Sequence, residues 1–141
     1  MDNIQISNFV DQMNSLASDN IVEKLKLIYS HEIEFIDPVK DISGLDALTD
    51  YFHNLYKNVE HCHFTILNHI ACDNHHAIEW NMNLKHHRLA KNREIQLEGA
   101  SFIRFNESKV CYHRDYYDLG ALIYERIPIL GTAVKKVRNA F

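Results

Sequence analysis

Four long segments in the second half of the chain alternate between apolar and polar residues with a period of two. Residues 61–70 begin the pattern, with apolar Cys62, Phe64, Ile66 and Ile70, and residues 78–85, 95–103 and 110–118 continue it. Because successive side chains of a strand point to opposite faces, this period predicts β-strands with one buried face. Polar turns at 73–74, 90–92 and 106–108 separate the segments, which predicts an antiparallel meander.

The first part of the chain has helical spacing instead. Apolar residues at 6, 9, 10, 13 and 16 predict one amphipathic helix, and those at 22, 25 and 28 predict a second, which residues 18–20 can cap. Residues 29–37 alternate as a short strand that ends before Pro38, and Leu45, Leu48, Phe52 and Leu55 form the stripe of a third helix. Three helices before a long sheet predict an α+β fold.

Gly99 stands inside the third long strand. A glycine lacks the side chain that resists curvature, so a bulge or bend is expected at this position. Bending of this kind would close the antiparallel sheet into a cup.

Size and charge exclude several classes of protein. The 141 residues suffice for one domain with one core, so residues 1–141 are interpreted as a single domain. A net charge of −4 argues against nucleic acid as a partner. The first 20 residues lack the basic start and apolar block of a secretory signal, and no apolar run reaches the length of a membrane span, so a cytoplasmic location is expected.

The ten histidines raise the question of a metal site. His61 and His63 would share one strand face, but no acidic or cysteine ligand stands at a recognisable spacing, so no metal is predicted. Cys62, Cys72 and Cys111 are interpreted as buried free thiols because they lack the spacing of a zinc site. Four scattered glycines form no phosphate-binding loop, and no cofactor is predicted.

The C-terminal segment is apolar and basic. Residues 119–127 predict a helix that leaves the sheet, and Pro128 predicts its end. Residues 128–141 then predict a short amphipathic helix with a basic face. Such a helix packs on its own domain or across a dimer more often than it contacts a membrane. Membrane contact through its basic face is the alternative interpretation.

The order of these elements, with "FIDP" ending the first strand, "SGLDAL" beginning the third helix and "HRDYYD" in the last strand, resembles the NTF2-like superfamily and its SnoaL-like branch. The resemblance covers residues 5 to 126. It implies a cone-shaped, strongly curved antiparallel sheet whose concave face is covered by the N-terminal helices around an apolar pocket. It also implies a homodimer through the outer sheet face. The same cone hosts isomerases, cyclases and non-catalytic binding modules, so the fold alone does not assign an activity.

Asp37 is the first candidate general base. Its "DP" is similar to that of ketosteroid isomerases, and an apolar pocket brings a carboxyl group toward the range where it exchanges protons. The alternative is an Asp-Pro turn whose carboxylate accepts local N–H bonds. Met13 and Ser101 stand near the places of the isomerases' tyrosine and second acid, so the resemblance does not extend to their steroid mechanism.

Alternation in the last strand places Cys111, His113, Asp115 and Tyr117 on one face, which the resemblance turns toward the pocket. A histidine two residues from an aspartate can form a polar pair suited to acid/base catalysis. The alternatives are a ligand-binding pair without chemistry and a purely structural hydrogen bond.

The leading hypothesis is a protein that binds a hydrophobic small molecule and performs cofactor-free isomerase, cyclase or lyase chemistry. The alternative is a non-catalytic ligand-binding or dimerisation module. Asp37, His113 and Asp115 are the predicted catalytic residues. Their neighbours in the predicted pocket wall are either ligand contacts or ordinary core: Phe52, Tyr56, Trp80, Met82, Ser101, Ile103 and Tyr117.

Overall fold

The structure is a computed structural model that describes residues 2–123 and 128–141. The helices are α1 (Asp2–Asn14), α2 (Ile21–Ile28), α3 (Leu45–Tyr56), α4 (Leu119–Leu122) and α5 (Pro128–Asn139). The strands are β1 (Tyr29–Ile36), β2 (Asp41–Ser43), β3 (Val59–Cys72), β4 (His75–His86), β5 (Glu94–Asn106) and β6 (Lys109–Tyr117). The α+β order predicted from the periodicities is confirmed.

The six strands form one curved, unclosed sheet in the order β2-β1-β6-β5-β4-β3. The predicted antiparallel meander comprises β3 to β6. Two features were not predicted: β1 pairs in parallel with β6, and the three-residue β2 extends the sheet at β1. This topology places β1 beside the last strand, so residues 80 positions apart in the chain become neighbours.

Helices α1 to α3 pack on the concave face of the sheet. Their buried side chains include Phe9, Leu25, Leu48 and Phe52, which join the apolar residues of the inner sheet face in one cluster. Burial of this kind is the main stabilising contribution to the fold. Among the described residues, no helix combines the length and the apolar character needed to cross a bilayer.

A β-bulge in β3 corrects the predicted alternation. The register with β4 shifts between Ile66 and Asn68, so Leu67 is the extra residue. After the bulge the inner and outer faces exchange, and Ile70, predicted to face inward, is 66% exposed. A bulge of one residue cannot be recognised from the alternation of apolar residues along a strand as long as β3.

A second bulge lies between β5 and β6, where the register shifts between Arg104 and Phe105. Val110 is fully buried, whereas the Cys111 thiol donates to the Arg104 carbonyl oxygen at 3.4 Å. The prediction that Cys111 shares the inward face of His113 is therefore wrong. Cys72 is exposed, so the prediction of three buried thiols is wrong as well, although all three are free.

Of the bulge or bend predicted at Gly99, the bulge is absent, since the β4–β5 register runs without a break from His75–Arg104 to Lys85–Glu94. Gly99 instead pairs with Trp80, and a Cβ added there would lie 2.8 Å from the Tyr116 carbonyl oxygen and closer still to the indole. The glycine is needed for the close approach of this ring.

Two details at the helix ends differ from expectation. Asn20 stands at the N-cap of α2, but its side chain bonds to Ala17 N and Ser15 O, both at 2.8 Å, and so stabilises the preceding turn. In α3, Tyr56 is buried and Leu55 is 42% exposed, which corrects the predicted stripe.

The predicted helix after β6 is observed only as the single turn α4, which the Asp118 carboxylate caps by accepting from Ala121 N at 3.1 Å. The remainder of that prediction, at residues 124–127, lies outside the described residues. The amphipathic helix predicted over residues 128–141 is observed as α5.

Candidate functional site

Strand β6 turns His113 and Asp115 toward the interior of the cone, as the alternation predicts. His113 Nε2 lies 2.6 Å from Asp115 Oδ1, and the imidazole is 4% exposed while the carboxylate is 20% exposed. Two residues on the same strand face are close enough for this contact only because their side chains lean toward each other. The predicted His–Asp pair is therefore present, although its role stays a prediction.

The neighbouring strand adds Ser101 to the pair. The β5–β6 register places Ser101 directly opposite Asp115, and the Ser101 hydroxyl donates to Asp115 Oδ1 at 2.5 Å. On the next strand, Trp80 Nε1–H donates to Ser101 Oγ at 2.8 Å. Ser101 and Trp80 were predicted as pocket residues, and the structure brings both to the His–Asp pair.

Tyr29 is a member of the site that the sequence analysis missed. It is the first residue of β1, is fully buried, and places its hydroxyl 2.7 Å from His113 Nδ1. Burial, followed by the charge of Asp115, raises the pKa of Tyr29 well above its usual range, so the hydroxyl keeps its proton. Alternation along β1 puts Tyr29 on the same face as Ile33 and Phe35, and this was the signal in the sequence that could have placed its ring in the interior. Its contact with His113, however, depends on the parallel pairing of β1 with β6.

These contacts form one buried hydrogen-bonded chain: Trp80, Ser101, Asp115, His113 and Tyr29. In the tautomer that carries its proton on Nε2, His113 donates to Asp115 Oδ1 and accepts from the Tyr29 hydroxyl at Nδ1. Both nitrogens of His113 are thus engaged. Within the part of the chain that the structure describes, Asp115 Oδ1 has two donors and Oδ2 has no hydrogen-bond partner.

A cavity of about 30 Å³ borders this chain between α1 and the sheet. That volume corresponds to about one water molecule. The polar part of its wall is formed by Ser101, His113 and Asp115, and the apolar part by Phe9, Val10, Met13, Phe64, Ile66, Ile78 and Trp80. This volume is far below the roughly 300 to 1,000 Å³ that pockets for small molecules commonly have.

Most of the other predicted wall residues do not border this cavity. Phe52, Tyr56, Met82 and Ile103 are between 2% and 8% exposed and belong to the apolar core. Phe52 packs edge-on against Phe35 at 5.7 Å between ring centroids and stacks on Tyr56 at 6.1 Å. Their positions agree with the ordinary-core alternative that the sequence left open.

Asp37 has the geometry of the turn alternative. Its Oδ1 accepts from the backbone N–H groups of Val39 and Lys40, both at 2.7 Å, and its Oδ2 accepts from the Tyr51 hydroxyl at 2.5 Å. Asp37 is not among the residues that line the cavity beside His113 and Asp115. Asp37 therefore does not border the cavity, and its role as a general base stays a prediction.

Tyr51 and Tyr117 are near enough to Asp37 and Asp115 for the charges of both carboxylates to act on their phenols. Burial raises the pKa of Tyr51 far above its usual range, and the hydrogen bond and charge of Asp37 raise it further. Burial also raises the pKa of Tyr117, with added contributions from the charges of Asp37 and Asp115. Both phenols therefore stay protonated. Tyr117, whose ring contacts Trp80 at 6.4 Å between centroids, has no hydrogen-bond partner for its hydroxyl within residues 2–123 and 128–141.

Histidine pairs elsewhere do not assemble a metal centre. His61 and His63 stack at 6.3 Å between ring centroids on β3. Across residues 2–123 and 128–141, no three His, Cys, Asp or Glu side chains converge as metal ligands.

Solved structures share this fold at low sequence identity. A candidate SnoaL-like polyketide cyclase from Shewanella putrefaciens CN-32 superposes with a TM-score of 0.72 at 12% identity, covering 90% of this chain and 96% of that one. A hypothetical protein with a ketosteroid isomerase-like fold from Catenulispora acidiphila, solved with trimethylamine, gives 0.71 at 14% identity over 84% and 88% of the two chains.

A third structure, a candidate SnoaL-like polyketide cyclase from Jannaschia sp. CCS1, gives a TM-score of 0.68 at 9% identity over 82% and 87% of the two chains. Among curated proteins, none matches this sequence at a significant level. Residues 8–113 match the model of the SnoaL-like domain family, which is about three quarters of the chain. The chain therefore belongs to the SnoaL-like domain family.

Proposed function

We propose that this protein is a cofactor-free acid/base enzyme of the isomerase or cyclase type, acting on an apolar small molecule that carries a carbonyl group. The observation that supports it is the hydrogen bonding of the two Asp115 carboxylate oxygens. Donors from Ser101 and His113 fix Oδ1, while Oδ2 is left for a ligand beside an apolar cavity. A carboxylate held in this way has the geometry of a general base.

The chemistry needs only a proton transfer. Asp115 Oδ2 takes a proton from the carbon next to the carbonyl, and the electron pair of that C–H bond moves toward the carbonyl oxygen. In a substrate with a neighbouring C=C bond the enolate is a dienolate, and the protonated carboxyl returns the proton to its far carbon as the C=O bond re-forms; in a cyclase the enolate carbon attacks a second carbonyl and the proton goes to the oxygen of that group. The apolar wall keeps competing water away from the enolate.

His113 is a positioning residue in this scheme. Its two ring nitrogens contact Asp115 and Tyr29, so neither is left to touch a substrate. The Nε2–H bond holds the carboxylate in one orientation, and the Tyr29 hydroxyl holds the imidazole in the tautomer that donates to it. This role refines the sequence-based hypothesis, in which His113 was itself an acid/base candidate.

Proton abstraction can be tested without knowing the natural substrate. The probe is 2-tetralone in deuterated buffer, with exchange of its α-protons followed by NMR. The wild-type protein is expected to accelerate exchange above the buffer rate, and Asp115→Asn to lose about 10²- to 10⁴-fold of that acceleration. Asp50→Asn is the matched control, because Asp50 is exposed on α3.

Saturable binding of 2-tetralone without accelerated exchange would contradict the enzymatic proposal. That result would favour the second candidate function, a non-catalytic binding module. The observation that favours the module is the small volume of the cavity beside Asp115, about 30 Å³, which is well below that of a common substrate pocket.

We also propose that the outer sheet face is the interface of a homodimer. Exposed apolar side chains on β3, β5 and β6 support it: Ile70, Phe102 and Tyr116 are 66%, 51% and 47% exposed. The Phe102 and Tyr116 rings contact each other edge-on at 5.9 Å, and Arg114 lies over the Tyr116 ring. Phe102→Glu is expected to convert a dimer to a monomer in sedimentation velocity, and a monomeric wild type at 50 to 100 µM (roughly 50- to 100-fold above micromolar affinity) contradicts the proposal.

A further inference from the structure

Helix α5 carries an apolar stripe that faces solvent. Leu130, Val134, Val137 and Phe141 recur at helical spacing, and the last turn continues past the helix because Phe141 N–H donates to the Arg138 carbonyl at 3.2 Å. Leu130 is 45% exposed, Val137 is 64% exposed and Phe141 is fully exposed. The sequence favoured packing of this helix on its own domain or across a dimer; within the described residues of the single chain, Leu130, Val137 and Phe141 remain exposed.

The contact of α5 with its own domain lies on a different side of the helix. Gly131 is buried, and a Cβ added to Gly120 on α4 would lie 3.9 Å from a Val134 methyl group. The helix therefore touches the domain beside Gly131 and at the margin of the stripe. The rest of the stripe has no protein cover among the described residues.

The charge of this segment differs from that of the whole chain. Residues 128–141 contain Lys135, Lys136 and Arg138 and none of the 19 acidic residues, in a chain with a net charge of −4. At roughly 100° per residue, Lys135 and Lys136 each lie about 130° from the centre of the stripe, one to either side, on the polar side of the helix. Both lysines are exposed, so their ammonium groups can reach beyond the apolar face on either side.

We propose that α5 docks on the surface of an anionic phospholipid membrane, with the stripe in the boundary between headgroups and acyl chains. A helix with an apolar stripe on one side, lysines on the other and no acids is complementary to such a surface in both polarity and charge. The inference concerns α5 alone and does not depend on the proposed reaction. Docking would hold the cone near the membrane, because α4 and α5 follow β6 in the chain.

Flotation with large unilamellar vesicles tests the proposal on the full chain. Two kinds of vesicle are compared: pure phosphatidylcholine, and phosphatidylcholine with about 30% phosphatidylserine. The anionic lipid gives the second kind a negative surface potential. The wild-type protein is expected to bind the anionic vesicles at least about tenfold more tightly, and the binding is expected to weaken as salt rises.

Two variants separate the apolar and electrostatic contributions. Val137→Asp and the double variant Lys135→Glu/Lys136→Glu are each expected to reduce binding by at least about tenfold. Lys57→Glu/Lys91→Glu is the matched control, since it makes the same charge change at two exposed lysines away from α5 and is expected to retain binding. Circular dichroism melts show whether each variant folds.

Three results overturn the proposal: no binding of the wild type to anionic vesicles, equal loss of binding in the matched control, or undiminished binding by Val137→Asp. A change of molar mass in light scattering for Val137→Asp, without a change in vesicle binding, would assign the stripe to a protein contact instead and equally overturn it.

Discussion

The indole of Trp80 lies over the backbone of Gly99, its partner on the adjacent strand, so closely that no Cβ fits between them. The same indole donates its N–H to Ser101, which in turn donates to Asp115. The glycine therefore determines the position of the first member of the buried hydrogen-bonded chain. A side chain at residue 99 would act on the site through Trp80.

Gly99→Ala is expected to destabilise the fold by about 1 to 3 kcal/mol, because the added methyl would overlap the Trp80 ring and approach the Tyr116 carbonyl oxygen. Denaturation in urea measures this cost. In a Trp80→Phe background the cost should fall, since the smaller ring leaves room. It should not vanish, because the Tyr116 carbonyl oxygen is 2.8 Å from the added Cβ. An equal cost in both backgrounds would show that Trp80 is not the main obstacle.

Tyr29→Phe removes the hydroxyl that lies 2.7 Å from His113 Nδ1 and leaves that nitrogen buried without its partner. The expected loss of stability is about 1 to 3 kcal/mol. Nitrogen-15 NMR of the imidazole is expected to show a shift in the tautomer balance, which a purely apolar role of Tyr29 would not produce. Tyr116→Phe is the matched control, because Tyr116 is 47% exposed, and it is expected to change stability by less than about 0.5 kcal/mol.

The sequence predicted one face of this site well, because strand parity does not depend on the partner strand. His113, Asp115 and Tyr117 follow each other at intervals of two after the bulge, so alternation placed them together. Parity failed at Ile70 and Cys111, where a bulge adds one residue. The contact of Ser101 with Asp115 requires the β5–β6 register, which no pattern within one strand contains.

The role of Asp37 could not be decided from the sequence for a different reason. An aspartate before a proline can point either into a pocket or back to its own turn, and both choices suit the same residues. The structure shows the turn geometry and adds Tyr51, which was not predicted as a partner because it stands beside Phe52 on a plain amphipathic helix.

Stability is expected to fall at alkaline pH through buried acidic groups. Burial raises the pKa of the Cys62 thiol from 9.0 to about 12, and the hydrogen bond from Tyr56 opposes this only in part. The unfolded chain therefore loses the thiol proton from about pH 9, while the folded chain keeps it until about pH 12. This contribution is fully present below pH 9 and is lost as pH rises toward 12.

Urea unfolding followed by Trp80 fluorescence measures this slope between about pH 8 and 10.5. One such group lowers the free energy of unfolding by at most roughly 1.4 kcal/mol per pH unit. Cys62→Ala is expected to give a shallower decline than the wild type. Cys72→Ala is the control, because that thiol is exposed, and it should keep the full slope. Parallel slopes for the two variants would rule out Cys62 as the titrating group.

Asn14 links α1 to the edge strand β3 by two hydrogen bonds and is expected to control access to the cavity. Its side-chain amide donates to the Phe64 carbonyl at 3.0 Å and its oxygen accepts from Phe64 N–H at 2.8 Å. Strand β3 is an edge strand, so these backbone groups have no strand partner on that side. The same helix supplies Phe9, Val10 and Met13 to the cavity wall.

Asn14→Ala should cost about 1 to 3 kcal/mol, because it leaves two half-buried backbone groups without partners. Asn14→Asp keeps the acceptor and loses the donor, so its cost should be intermediate. Hydrogen exchange measured by mass spectrometry is expected to accelerate in peptides covering residues 6–13 and 60–66. Asn54→Ala, at an exposed position on α3, is the control. If its exchange profile matches that of Asn14→Ala, the α1 attachment does not depend on Asn14, and opening of the cavity must be controlled elsewhere.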